Sequence, residues 1–307
     1  PAGGRAQLYS DFREVLKQVS THPNRAYYIY KSIIISNLYG VDIMDEAVEI
    51  CKLRLFLKLA AQLERPEQIE PLPDIDFNIR AGNSLVGYTS FADVKRATEV
   101  SGFDFDDRAG KIEEAAQELD KAFKIFRQQQ KELDGAIEAD HKSELRRRLT
   151  ELGGQLDRFL AKDYGVEVRD DLVSGAAFES WKKSHKPFNW LIEFFGILNS
   201  GGFDVIVGNP PYLEARDVEY SPRGLSTEES KVVHGYFVER SYDLLSLKGG
   251  MSMILPMSLV STQRMKVVQS VIERDRSVWY SNYSWRPAKL FDQVNRALTI
   301  FVSVPTI

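Results

Sequence analysis

Phe203-Asp204-Val205-Ile206-Val207-Gly208-Asn209-Pro210-Pro211-Tyr212 is the stretch on which the reading turns. An apolar run rich in β-branched residues and without clean alternation predicts a buried strand of a parallel sheet. The run empties into Gly-Asn-Pro-Pro-Tyr. Two successive prolines contribute no N–H, so this turn gives up amide donors and gains stiffness. The Asn209 amide oxygen and the Pro210 carbonyl are thereby expected to be held as acceptors at little ordering cost, with Pro211 completing the frame and Tyr212 offering a flat face. Two fixed acceptors beside a ring describe a receptor for a planar group bearing an NH2.

Two upstream segments share this design. Leu38-Tyr39-Gly40-Val41-Asp42-Ile43 is a short apolar run closed by an acid, and Asp45-Glu46 then opens a helix where the macrodipole favours negative charge. Ala47, Val48, Cys51, Leu55 and Leu59 form its apolar stripe, broad enough to predict burial against a sheet. Asp76-Phe77-Asn78-Ile79-Arg80-Ala81 alternates like a strand and runs into Gly82-Asn83-Ser84-Leu85. Downstream, Val233 to Leu245 predicts a helix stopped by Gly249-Gly250, Met251 to Leu255 a buried strand, and Val278 to Trp285 and Ala297 to Val304 two more, that last pair open to an antiparallel arrangement. Residues 5 to 37 read as helical with a break at His22-Pro23-Asn24. Strands alternating with helices predict an α/β fold with a doubly wound, mostly parallel sheet. Ligands of such sheets lie beyond the carboxyl ends of the strands, where Asp42, Asn83 and Asn209 to Tyr212 all fall.

Residues 109 to about 162 differ in character. Ile112, Ala116, Leu119, Phe123, Phe126, Leu133 and Ile137, then Leu145, Leu149, Leu152, Leu156 and Phe159, recur at four and three spacing and predict an antiparallel helical hairpin. Its turn is expected near Ala139 to Ser143, with Asp134-Gly135 as the competing site, and its first arm would project on the order of 40 Å. The resulting division is 1–105, an inserted hairpin at 106–163, and 164–307.

Composition bounds the rest. Forty basic against forty-four acidic side chains, net charge -4, exclude an all-over polyanion binder and make any nucleic-acid surface local. One cysteine excludes an internal disulfide framework, four scattered histidines offer no metal-ligand spacing, and no apolar run is long enough to cross a bilayer. A cytoplasmic setting is the expectation, with no metal. Pro1 in first place hints at a trimmed piece of a longer chain.

With these motifs in hand, the sequence resembles S-adenosyl-L-methionine-dependent amino-methyltransferases, and most closely the N6-adenine DNA methyltransferases of restriction-modification and related phage-defence systems. The resemblance rests on Phe203 to Tyr212, on Tyr39-Gly40-Val41-Asp42-Ile43 and on Asn78 to Leu85, in the family's order; Pro187-Phe188-Asn189-Trp190 adds a likeness to large fused restriction-modification enzymes. It implies a Rossmann-like sheet, S-adenosyl-L-methionine as cofactor, and double-stranded DNA with a flipped adenine as substrate, with a fused or associated nuclease and specificity domain as partners. Asp42 would bind the cofactor ribose with Ile43 beside it. Asn83, with Ser84 and Leu85, would touch the cofactor adenine amine, the Asn83 amide accepting. Asn209 and Pro210 would grip the target amine while Tyr212 stacks on the base. The loop Leu213 to Ser230 with Tyr236 and Phe237 would supply compensating contacts. Arg286, Lys289 and Arg296 would lie beside the base, and Lys142, Arg146, Arg147 and Arg148 either touch phosphates or form a solvated face. Trp279, Tyr280, Tyr283 and Trp285 are expected to pack the sheet.

One family feature is missing: a Gly-rich cofactor loop after a first central strand, which the family's order places between the strands ending at Asp42 and Gly208. Unpaired strand edges, and weak cofactor binding by this chain alone, are the expected results. Methylation of release-factor glutamine or of an RNA base, and a non-catalytic scaffold in a defence complex, are the alternatives.

Overall fold

This computed structural model describes residues 13, 15–99, 105–131, 139–168, 175–220, 222–286, 289–292 and 295–306. The chain forms two compact units, one of residues 1–82 and 121–146, the other of 83–120 and 147–307. Helices of eight residues or more are α1 (Arg25–Asn37), α2 (Asp45–Ala60), α3 (Phe91–Glu99), α4 (Phe105–Gln129), α5 (Ala139–Asp163), α6 (Ala176–His185), α7 (Val233–Leu244) and α8 (Lys266–Glu273). The strands are β1 (Gly40–Asp42), β2 (Ile79–Ala81), β3 (Phe203–Gly208), β4 (Leu245–Pro256), β5 (Arg276–Tyr283) and β6 (Leu298–Pro305).

In the first unit, β1 and β2 pair in parallel, Asp42 opposite Ala81. The buried Asn78 amide donates to the carbonyls of Ile35 and Leu38, satisfying the end of α1 where no backbone donor remains. Asn24 caps the start of that helix by accepting from Tyr27 N–H. Val48 and Leu59 of α2 pack with Tyr27, Ile34, Ile75 and Ile79. The predicted stripe is the covered side of α2, with Val48 and Leu59 buried and Ala47, Cys51 and Leu55 half-buried, while Ile50, Leu53 and Leu57, outside it, are each more than half exposed.

In the second unit the strand order is β3-β4-β6-β5, with β3 parallel to β4 and both other pairings antiparallel. Met251, Met253 and Leu255 of β4 and Phe301 of β6 pack on Val268, Val271 and Ile272 of α8 and on Val238 of α7. β3 departs from its reading as a strand buried on both faces. Ile206 joins this core, but Val205 and Val207, on the other face, are 67% and 76% exposed. The helix predicted to run to Gly249-Gly250 ends at Leu244, and both glycines lie inside β4. Trp279, 60% exposed, and the exposed Trp285 do not pack the sheet.

The expected single doubly wound sheet is therefore seen as a mixed α/β arrangement with two sheets, one in each unit. Among the described residues β1 pairs only with β2, and β3 only with β4, so each has one unpaired edge.

α4 and α5 carry the predicted stripes, with Ile112, Ala116, Leu119, Phe123 and Phe126 buried on one and Leu145, Leu149, Leu152 and Leu156 on the other. Ala139 to Ser143 is helix rather than turn, and the stretch holding Asp134-Gly135 lies outside the described residues. The end of α4 and the start of α5 pack within the first unit rather than project. Within the first unit, Phe77 sits edge-on to Phe123 and Phe126, and Gln130 accepts from Asp74 N–H. Lys142 pairs with Asp74 and Asp76, Arg146 with Asp76, and Arg147 with Glu151. Lys142 and Arg146 thus pair with largely buried carboxylates of the first unit, and Arg147 with the exposed Glu151 of its own helix.

Candidate active site

Gly208 ends β3, and the next four residues alternate in burial: Asn209 exposed, Pro210 buried, Pro211 exposed, Tyr212 half-buried. Pro210 anchors the turn while Asn209 presents its amide to solvent at the carboxyl end of the strand. The Pro210 carbonyl accepts no hydrogen bond from the described residues. The Tyr212 hydroxyl lies 2.8 Å from Asn209 Oδ1 and 3.1 Å from the Ile254 carbonyl oxygen, so the ring is folded against its own loop.

The chain beyond this turn is tied down. Val233 N–H donates to the Leu213 carbonyl, Ala215 N–H to that of Lys231, and Glu214 bridges Val232 in antiparallel sense. Lys231 makes the return in the left-handed region at φ 52. Glu214 accepts both arms of Arg264, at 2.8 and 2.9 Å, a forked pair that lowers its pKa. Arg296 reaches the Tyr212 carbonyl at 3.5 Å. These ties place His234, at the start of α7, edge-on to Tyr212 with ring centroids 6.2 Å apart. Tyr236 and Phe237, expected near the substrate, instead pack with Leu85, Leu225 and Val233.

Asn83 belongs to the same unit. It is 1% exposed, its Oδ1 accepts from Leu85 N–H, and its Nδ2 has no partner. The open group is accordingly a donor, where an acceptor was expected. Asn83-Ser84-Leu85 is held by Lys186 to Trp190: Asn83 N–H donates to the Lys186 carbonyl, Trp190 Nε1 to the Ser84 carbonyl, and Phe188 N–H to the Val86 carbonyl. This close approach needs Gly87, where a Cβ would lie 1.9 Å from the Phe188 carbonyl oxygen. The Asn189 amide donates to Asp157 of α5, itself paired with Lys182.

In the first unit, Asp42 is exposed at the end of β1. Its Oδ1 accepts from Met44 N–H at 2.8 Å, and its second oxygen has no partner among the described residues. Ile43 beside it is an exposed apolar side chain. Asp42 is a turn acid with half its carboxylate still open.

The family model described as Eco57I restriction-modification methylase matches residues 36–278. The chain belongs to this family. A protein of Methanocaldococcus jannaschii named "Putative type II restriction enzyme and methyltransferase" is 32% identical over 303 residues, covering 79% of this chain. The chain spans about a quarter of that relative, 24% of its length. A crystal structure from Listeria monocytogenes, titled as a putative class I S-adenosylmethionine-dependent methyltransferase, is 14% identical over 52% of this chain and 51% of that one; its TM-score of 0.27 carries no weight.

S-adenosyl-L-methionine is the cofactor of this methylase family. Each unit, taken by itself, offers one open group of the kind this cofactor needs. The orphaned, buried Asn83 Nδ2 is a donor waiting for an acceptor, and the open Asp42 oxygen is an acceptor of the kind ribose hydroxyls require. Among the described residues no group of His, Cys, Asp and Glu is arranged to hold a metal ion, and no helix is long and apolar enough to cross a membrane. Cys51 is half-buried against the first unit's core.

A separate cavity of about 310 Å³ in the second unit is lined by Asp93, Asp163 and Asp243, by Arg96, Arg223 and Arg240, and by Tyr88 and Tyr164 among others. Burial pushes the Asp243 carboxyl up to about 6 against the pull of Arg240. Three carboxylates and three guanidiniums thus line the cavity in equal number. Neither it nor His234 was marked by any sequence motif; both arise from long-range packing.

Proposed function

We propose that the methylase transfers a methyl group from S-adenosyl-L-methionine to the N6 amine of adenine in double-stranded DNA, as the modifying arm of a cytoplasmic restriction-modification or phage-defence system. The observation that carries this reading is the exposed Asn209 amide at the carboxyl end of β3, fixed by a buried proline whose own carbonyl accepts no hydrogen bond from the described residues. An adenine amine has two hydrogens. Asn209 Oδ1 and the Pro210 carbonyl would accept one each, drawing the nitrogen lone pair out of conjugation with the ring. Tyr212 would stack on the base once it has left the duplex, a step that costs a few kcal/mol. When bound, the cofactor supplies an electrophilic methyl group. Asp42 and Ile43 would hold its ribose side, and Asn83, with Ser84 and Leu85, its adenine, Asn83 Nδ2 donating to a ring nitrogen. The target nitrogen gives up one proton to solvent, so no protein nucleophile is needed and rate derives from positioning.

The exposed Arg286, whose guanidinium lies over Trp285, and Arg296, already reaching the Tyr212 carbonyl, would meet the DNA beside the base, with Lys289 on the same linker. The insertion of 106–163 as a helical hairpin, and a nuclease and specificity region outside this chain, belong to the same proposal; the relative's combined name supports the last.

Transfer of labelled methyl to DNA, RNA and release factor by the protein is the test. Asn209→Ala is expected to lower transfer to DNA at least a hundredfold, in line with removing an electrostatic contact at the reacting atom. Undiminished transfer in that variant, or transfer to RNA or release factor alone, contradicts the reading.

A further inference from the structure

His234 is 4% exposed, and neither ring nitrogen has a hydrogen-bond partner among the described residues. Leaving two buried polar atoms unpaired costs stability, so the arrangement calls for a partner that arrives later. The neighbour that can move is Tyr212. Its backbone is fixed by the Leu213–Val233 hydrogen bond and the Glu214–Val232 bridge, while its side chain is polar-bonded through its hydroxyl alone, to Asn209 Oδ1 and the Ile254 carbonyl, with its ring edge-on to His234.

That position cannot persist when a base is gripped. An amine donates roughly in the plane of its base, so Asn209 Oδ1 would lie near that plane. A phenol stacked on the base sits roughly 3.5 Å above it. The present 2.8 Å bond between hydroxyl and Asn209 Oδ1 must therefore break. The released hydroxyl then needs an acceptor in a closing, partly dry site.

We infer that His234 is a positioning residue: it accepts the Tyr212 hydroxyl when the ring turns from Asn209 onto the substrate base. Burial, reinforced by Arg264 and Arg296 and opposed by Glu214, pushes its pKa down to about 4, so the imidazole stays neutral and keeps one nitrogen as an acceptor. Tyr212 thus has two stations. In the first its hydroxyl covers the Asn209 acceptor, and in the second it clears that acceptor and is latched to α7. This inference rests on the amine-gripping role of Asn209 to Tyr212.

A double-mutant cycle on methyl transfer by the protein tests it. His234→Phe fills the space without an acceptor, Tyr212→Phe removes the hydroxyl, and each is expected to lower kcat about fivefold with KM for the cofactor unchanged, the size of one lost hydrogen bond. The double variant is expected to lose no more than Tyr212→Phe alone. His234→Gln, which restores an acceptor, is expected to recover most of the rate; should the phenylalanine variant melt early, His234→Leu, which also lacks an acceptor, takes its place in the cycle. Multiplying losses, about twenty-five-fold together, or a wild-type rate in His234→Phe, overturns the latch. Full transfer by Asn209→Ala instead marks failure of the amine-gripping reading.

Discussion

The two units handle the same device differently. Each has a parallel strand pair whose carboxyl end opens into a polar turn, Asp42 in one and Asn209 in the other. Around Asn209 the chain is cross-tied by Arg264, Arg296, Val233 and Lys231, and a four-stranded sheet stands on a packed core. Around Asp42 there are two three-residue strands, one bond from Met44 N–H, and a helix whose Ile50, Leu53 and Leu57 face solvent. A strand-end motif fixes which group is presented. How firmly it is presented depends on the number of long-range partners behind it.

Substitutions in each unit put this contrast to experiment. Phe301 is fully buried in the larger core, so Phe301→Ala is expected to cost about 3–5 kcal/mol in denaturant unfolding followed by a probe in the second unit. A much smaller loss would mean that this sheet is no better supported than the other. Asp42→Asn keeps an oxygen for Met44 N–H but alters the open half of the carboxylate; cofactor affinity measured by calorimetry on the protein should fall about tenfold. Unchanged affinity would leave Asp42 as a turn acid alone.

The units should also differ in their response to pH. In the second, Asp243 has a folded pKa raised to about 6, above its unfolded value, so its carboxyl costs stability progressively as pH rises from about 4 through 6. Asp243→Asn should therefore gain about 1 kcal/mol over wild type at pH 7, with the advantage gone near pH 4. In the first, burial would raise the Asp76 carboxyl, but Lys142 and Lys52 outweigh it and hold it well below the ordinary carboxylate range. Its contribution is complete above the unfolded pKa and is lost as pH falls toward the folded one. Asp76→Asn should cost less than about 1 kcal/mol at pH 7 and nothing in strong acid. Melting curves of both variants across pH 2–8 check the opposed signs.

Much of this was legible from local pattern. Strand ends at Asp42, Ala81 and Gly208, the helical stripes at 112–126 and 145–156, and the Asn-Pro-Pro-Tyr turn depend on residues close in sequence. Exposure of Val205 and Val207 was not legible, because β-branched runs look alike whether one face or two are covered. Nor was the pairing of Lys142 and Arg146 with Asp76, about seventy residues away, which composition alone leaves as a basic patch. The Asn83 polarity reversed for a still subtler reason: the Leu85 N–H takes the oxygen and leaves the amine open. His234 carried no motif at all, since its meaning comes from the bridge that brings α7 beside Tyr212.

The proposed chemistry converges on one atom, the exocyclic nitrogen of adenine. Unmethylated duplex DNA incubated with the protein and labelled S-adenosyl-L-methionine, then digested to nucleosides and separated, should carry its label in N6-methyladenine. Label in a methylated cytosine, or none in the DNA while another substrate is modified, would contradict that assignment.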